Sequence, residues 1–182
     1  MVDLLSVYER EREACFAENS LEILIFSDSH GDTARMRKVI RSHPDAKHVL
    51  FCGDGLRDVD ALETELKGIV FLSVKGNCDG LFTHFDTPCE RLITLSGRKL
   101  LMMHGHTHGV KGSYGVAASH AASEGAEILL FGHTHIPYEG RIEVNGKCVH
   151  LFNPGSIGTN KYSYGILTFR ENGYLFSHGT LI

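Results

Sequence analysis

Short apolar runs alternate along this chain with polar stretches of helical length. Leu21–Phe26 reads as a central strand that ends at Ser27-Asp28. Asp32 or Thr33 is placed to cap a helix over roughly 34–42. Lys47–Cys52 reads as a second strand stopped by Gly53-Asp54-Gly55, followed by a helix over Asp58–Lys67. Ile69–Val74 is a third strand, closed by Gly76-Asn77. This β-α-β-α-β order predicts a parallel sheet with helices on its faces.

The second half changes character. Glu90–Leu95 and Lys99–Met103 flank Ser96-Gly97, which signals a hairpin. Residues 113–123 are alanine-rich and predicted helical, and Glu127–Phe131 is another buried strand. Arg141–Val144 and Cys148–Phe152 flank Asn145-Gly146, and Tyr164–Arg170 and Tyr174–Ser177 flank Asn172-Gly173. Both are type I′ turn signals, so the C-terminal part is expected to be rich in antiparallel pairs. The expected fold is an α/β, four-layer α/β/β/α sandwich of two mixed sheets. Residues 21–182 form a single domain in this reading. Residues 1–20 are an appended helix, with Leu4, Val7, Tyr8, Cys15 and Phe16 roughly on one face.

Composition narrows the class. The 182 residues suffice for one domain with its own core, and a formal charge of −4 argues against a stable nucleic-acid partner. The apolar runs are strand-sized, which predicts no membrane span, and the charged N-terminus does not read as a signal peptide. Five cysteines without a Cys-x-x-Cys spacing fit reduced thiols and a cytoplasmic location better than a disulfide framework or a zinc ribbon.

The chemistry sits where the apolar runs stop. Asp28 and His30 follow the first strand, Asp54 the second, Asn77 the third, His104 the fifth, and His133 and His135 the sixth. Ligands of open α/β sheets bind beyond the carboxyl ends of the strands, so these residues can meet at one point. The i, i+2 spacing of Asp28-x-His30 and His133-x-His135 puts both side chains on one side if the backbone is extended. Two carboxylates, four histidines and an amide exceed what one ion takes and suit two ions sharing a carboxylate. Oxygen and imidazole donors without thiolate favour manganese, iron, zinc, cobalt or nickel over magnesium or calcium.

In this order, Asp28-Ser29-His30, Gly53-Asp54, Gly76-Asn77-Cys78-Asp79, His104-Gly105-His106, Gly132-His133-Thr134-His135 and Asn153-Pro154-Gly155-Ser156 resemble the motifs of the calcineurin-like metallophosphoesterase superfamily. The resemblance runs from about Glu22 to the C-terminus and is nearest to its small YfcE-type bacterial and archaeal phosphodiesterase branch. It implies a binuclear metal-dependent phosphoesterase. One metal would take Asp28, His30, Asp54 and His135; the other would take Asp54, Asn77, His104 and His133. Asp54 would bridge them, and a hydroxide held between the two ions, manganese in first place, would attack phosphorus in line. A formal count of two dications less Asp28, Asp54 and hydroxide leaves about +1, matched to a small phosphodiester monoanion. The branch also implies a possible homodimer or homotetramer.

Cys78 departs from the pattern, because many superfamily phosphatases carry there a histidine that helps protonate the leaving group. A thiol is the poorer acid, which predicts a preference for good leaving groups. His106 is then the candidate catalytic acid and, with Asn77, a substrate contact; Cys78 and Asp79 are expected to support the ligands from behind. Gly105-His106-Thr107-His108 mimics the later Gly-His-Thr-His, but the later copy precedes the hairpin and Asn-Pro-Gly-Ser, as in the family. Arg57, His108, His43, His48, His84, His120, His150 and His178 read as surface or satisfied core residues, and Phe82, His84 and Phe85 as a loop lining the pocket. The alternatives are a non-catalytic protein-binding scaffold, as in the retromer subunit of this fold, and a phosphomonoesterase or protein phosphatase. A missing ligand would mark the scaffold, and no ligand is missing.

Overall fold

A computed structural model describes residues 21–80, 86–159, 161–171 and 173–181. The expected helix over 1–20 and the Phe82–Phe85 loop lie outside the described residues. Strand β1 (Leu21–Phe26) explains why its sequence is apolar on both faces. Ile23 and Ile25 point into a core shared with the second sheet, while Leu24 and Phe26 pack beneath two helices. A strand covered on both sides has no wet face, so its sequence shows a run rather than an alternation.

The first sheet has the order β10-β9-β1-β2-β3. β2 (His48–Phe51) and β3 (Val70–Ser73) run parallel to β1, and β9 (Ser163–Arg170) and β10 (Gly173–Thr180) add an antiparallel hairpin on its other side. Helices α1 (Thr33–Ser42) and α2 (Leu56–Glu65) cover its outer face through Met36, Val39, Ile40, Leu56, Val59 and Leu62. The second sheet has the order β4-β5-β6-β8-β7. It comprises β4 (Glu90–Leu95), β5 (Arg98–Met103), β6 (Ile128–Leu130), β7 (Pro137–Val144) and β8 (Lys147–Pro154). Helix α3 (Gly115–Ser123) lays Ala117, Ala118, Ala121 and Ala122 on its outer face. Small side chains let this helix approach the sheet closely. The layers are therefore α/β/β/α, as the pattern predicts, with two mixed sheets.

Some boundaries shift for identifiable reasons. α1 is capped by Asp32, whose carboxylate accepts from the Arg35 N–H at 3.0 Å. α2 begins two residues before the expected Asp58, because its first N–H groups, those of Gly55 and Leu56, are accepted by the carboxylate of a distant residue, Asp79. β7 begins at Pro137 rather than Arg141, paired with Pro154 of β8. A proline is tolerated there because β7 is an edge strand. Asn145 and Gly146 both have positive φ, 50° and 77°, as a type I′ turn requires.

Candidate metal centre

The parallel strands β1, β2, β3, β5 and β6 deliver Asp28, His30, Asp54, Asn77, His104, His133 and His135 to one end of the sandwich. The structure brings all seven together. In one cluster Asp28, His30 and His135 offer ligand atoms within 4.8 Å of one another, and in a second Asp54, His104 and His133 do the same. Asn77 joins the second through Oδ1, 3.1 Å from His104 Nε2. Asp54 also groups with His30 and Cys78, which places it between the two clusters.

Backbone conformation departs from the extended geometry that the i, i+2 spacing suggests. Asp28, His30, Asp54, His133 and His135 all have positive φ, between 47° and 66°. Side chains are thus aimed by tight left-handed turns rather than by a strand pleat. For a non-glycine residue this conformation is strained and persists only where the surroundings over-determine it. The loops bond to one another accordingly: Asp28 N–H donates to Gly53 O at 2.9 Å, and Gly132 N–H to His104 O at 3.1 Å. Glycine at 53 is required by crowding and by its φ of 91°, since a Cβ would lie 2.8 Å from Gly76 N and 2.9 Å from His104 Nδ1.

Asp28, His104 and His135 are each held from behind. Asp28 Oδ2 accepts from the Ser27 hydroxyl at 2.6 Å and from the His133 N–H at 3.0 Å. Its other oxygen, Oδ1, is buried and accepts no hydrogen bond. It faces His135 Nε2 at 3.1 Å, His30 Nε2 at 3.8 Å and His104 Nε2 at 3.9 Å. Nδ1 of His104 donates to the Cys52 carbonyl at 2.7 Å, so the lone pair of the neutral ring sits on Nε2 and faces the cluster. Nδ1 of His135 is matched by Thr159 Oγ1 at 3.0 Å, which in turn lies 2.8 Å from Ser156 Oγ. Ser156 donates to the Asp28 carbonyl at 2.7 Å. Ring nitrogens confront each other at 3.2 Å between His30 and His135, and at 3.1 Å between His104 and His133. Converging imidazole nitrogens around an unpartnered buried carboxylate oxygen fit a divalent cation, which satisfies all of them at once.

Asp79 does not point into the clusters. Its carboxylate accepts four backbone N–H groups: Asp54 at 2.9 Å, Gly55 at 2.7 Å, Leu56 at 2.8 Å and Gly76 at 2.7 Å. Asp58, which no sequence motif singles out, does similar work for the first loop. It accepts from Ser29 Oγ at 2.5 Å and from Gly31 N–H at 2.8 Å. Asn153 secures the last loop by donating to the Gly132 carbonyl at 2.8 Å.

Charges are strongly coupled. Burial acts to raise the Asp54 carboxyl, but the hydrogen bond with His104 and the Cys78 N–H hold it well below the usual carboxylate range. Burial acts to lower His104, yet Asp54 and Asp28 raise it above its ordinary value. His133 is pushed down to about 4 by burial and then by His104. The Cys78 thiol goes up to about 11, through desolvation first and then its contact with Asp54. His106 sits at the rim on a short 3-10 turn (His106–His108), its ring centroid 5.4 Å from that of His104 and 6.1 Å from that of His133. Arg57 is an exposed residue of the first turn of α2.

Residues 21–172 match the calcineurin-like phosphoesterase superfamily domain. The chain belongs to this superfamily. Membership supports phosphoester hydrolysis as the class of activity and implies divalent metal ions. A probable metallophosphoesterase of Bacillus subtilis, YsnB, is 34% identical over 158 residues, covering 84% of this chain and 86% of its own. Phosphodiesterase YfcE of Escherichia coli is 33% identical over 105 residues, 53% of this chain and 51% of its own. Among solved structures, a predicted phosphoesterase from Streptococcus pneumoniae superposes with a TM-score of 0.69 at 25% identity, covering 90% of this chain and 91% of its own. Vacuolar protein sorting 29 from Cryptosporidium parvum shares the fold, with a TM-score of 0.64 at 17% identity over 90% of this chain and 99% of its own. Among the described residues no helix is long and apolar enough to cross a membrane.

Proposed function

We propose that the protein is a binuclear metal-dependent phosphodiesterase. The observation that carries this reading is the position of Asp54 between two ligand clusters, with a full set of donors on either side. Asp28, His30, Asp54 and His135 would hold one ion, and Asp54, Asn77, His104 and His133 the other. Manganese is the first candidate, with iron, nickel, zinc and cobalt also suited to oxygen and imidazole donors. When bound, such a pair supplies an activated water for in-line attack and neutralises charge that develops at phosphorus.

The chain's own residues do the rest. The Cys52 carbonyl and Thr159 orient the rings of His104 and His135. Asp79 fixes the backbone of Asp54 and of the Gly76-Asn77 turn, so the two loops keep one spacing. His106, partly buried beside His104 and His133, and the exposed Asn77 would contact the substrate phosphate, and His106 or a water would return a proton to the departing oxygen. The small residual positive charge suits a diester monoanion better than a monoester dianion, and the phosphodiesterase relative of E. coli supports the same choice. Completeness of the ligand set speaks against a scaffold without activity.

A hydrolysis panel tests this. Metal-stripped protein is given manganese, nickel, zinc or magnesium and offered bis-nitrophenyl phosphate and nitrophenyl phosphate. Metal-dependent diester turnover exceeding monoester turnover is the expected result. Faster monoester turnover makes it a phosphatase, and turnover of neither with any metal makes it a scaffold.

A further inference from the structure

A second constellation lies outside this centre. Glu90 at the start of β4, His108 at the end of the 3-10 turn and His120 on α3 come from three separate elements, and their ligand atoms lie within 4.8 Å of one another. We propose that Glu90, His108 and His120 form a separate binding site for a borderline divalent cation, zinc being the best fit. The proposal does not depend on the catalytic reading.

The geometry is that of a site built to share something. His120 Nε2 lies 2.7 Å from Glu90 Oε2, and His108 Nε2 lies 3.6 Å from the other oxygen, Oε1. The two rings stack at 4.8 Å and 20°, which presents both Nε2 atoms to the same carboxylate from neighbouring levels. Thr107 Oγ1 is 3.0 Å from His108 Nδ1. When that nitrogen donates to Thr107, the lone pair of the neutral ring lies on Nε2 and points at Glu90, acceptor against acceptor. A cation turns this repulsion into coordination. Two imidazoles and one carboxylate are the donor set of three-coordinate protein sites for zinc, with a fourth position left to water. Magnesium and calcium, which demand more oxygen, fit poorly. The side chains are 15% (His108), 31% (His120) and 30% (Glu90) exposed, so an ion reaches them from solvent and stays partly shielded once there.

Position gives the site a role. His108 stands four residues beyond His104, and the intervening turn carries His106. An ion held by Glu90 and His120 would anchor the far end of that turn to β4 and α3.

The test is zinc content after equilibrium dialysis at equal free zinc, for the wild-type chain, His108→Ala, His120→Ala and Glu90→Gln, with circular dichroism confirming the fold. Each variant is expected to hold one equivalent fewer than wild type. Equal zinc in wild type and folded variants overturns the proposal and leaves the cluster as an ion pair alone. Should an alanine variant unfold, Glu90→Gln decides, because it keeps hydrogen bonding and loses only the charge. The equivalents that the variants retain report the other centre, so failure there lowers all counts together and leaves the difference intact.

Discussion

The carboxylate of Asp79 accepts the backbone N–H of Asp54 at 2.9 Å, so one acidic side chain holds another by its main chain and leaves its carboxylate to the Cys78 N–H and His104. The same group caps α2 through Gly55 and Leu56 and grips Gly76 in the next loop. Loops that follow two different strands are thereby fixed to a single buried point.

Asp79→Ala is expected to be among the more damaging substitutions. It strands several backbone donors, each costing about 1–3 kcal/mol when left unsatisfied and buried. Urea unfolding should show a loss of about 3 kcal/mol or more, with Asp79→Asn intermediate. An Asp79→Ala midpoint within error of wild type would remove Asp79 from its structural role.

Thr159→Val keeps shape but takes away the partner of His135 Nδ1. The ring is then free to turn and to adopt the other tautomer. Metal affinity is expected to fall by about 10–100-fold, the usual cost of losing a partner behind a ligand. Isothermal titration of the stripped protein with manganese measures this, and an unchanged affinity would show that the ring is set by packing alone.

Cys78 is a poor proton donor by position as well as by type, since desolvation and Asp54 push its thiol up to about 11. Cys78→His should raise turnover of alkyl diesters relative to nitrophenyl diesters, whose leaving group needs no proton. If alkyl-diester turnover is unchanged or slower, leaving-group protonation does not pass through this position.

His150, 8% exposed, sits between Tyr174 Oη at 3.1 Å and Glu139 Oε1 at 3.0 Å. Burial lowers its pKa, although Glu139 works against the shift. A histidine lowered in the folded state binds its proton more readily when unfolded. Its contribution to stability is therefore complete above the unfolded value, about 6.5, and declines as pH falls through the window below it. Comparison of urea midpoints at pH 7.5 and 5.5 should show a smaller acid loss for His150→Gln than for wild type. Equal losses would assign the acid sensitivity to other groups.

The two-sheet layout was legible because β1, β2, β5 and β6 are buried on both faces, so their sequences read as apolar runs cut off by glycine and a polar residue. Those stops are the site, so Asp28, Asp54, Asn77, His104, His133 and His135 stood out together. Backbone geometry did not: an i, i+2 spacing serves an extended strand and a left-handed turn equally, and only φ distinguishes them. Asp58 and Thr159 were invisible for another reason. Their partners are distant in sequence, and a carboxylate in a first helical turn or a threonine in a loop has an adequate local explanation. His108 and His120 read as surface residues, and Glu90 only as a strand start, for the same cause, since nothing in a one-dimensional string aligns a strand start, a turn and a helix face.

His104 reaching Cys52 and His133 reaching Asp28 lace the two sheets together at the end where the ligands gather. The tips at Ser96-Gly97 and Asn145-Gly146 lie at the starts of β5 and β8, away from that seam. Peptide tags or reporter domains spliced into either tip would therefore be carried as passengers, which gives this scaffold two attachment points remote from its chemistry.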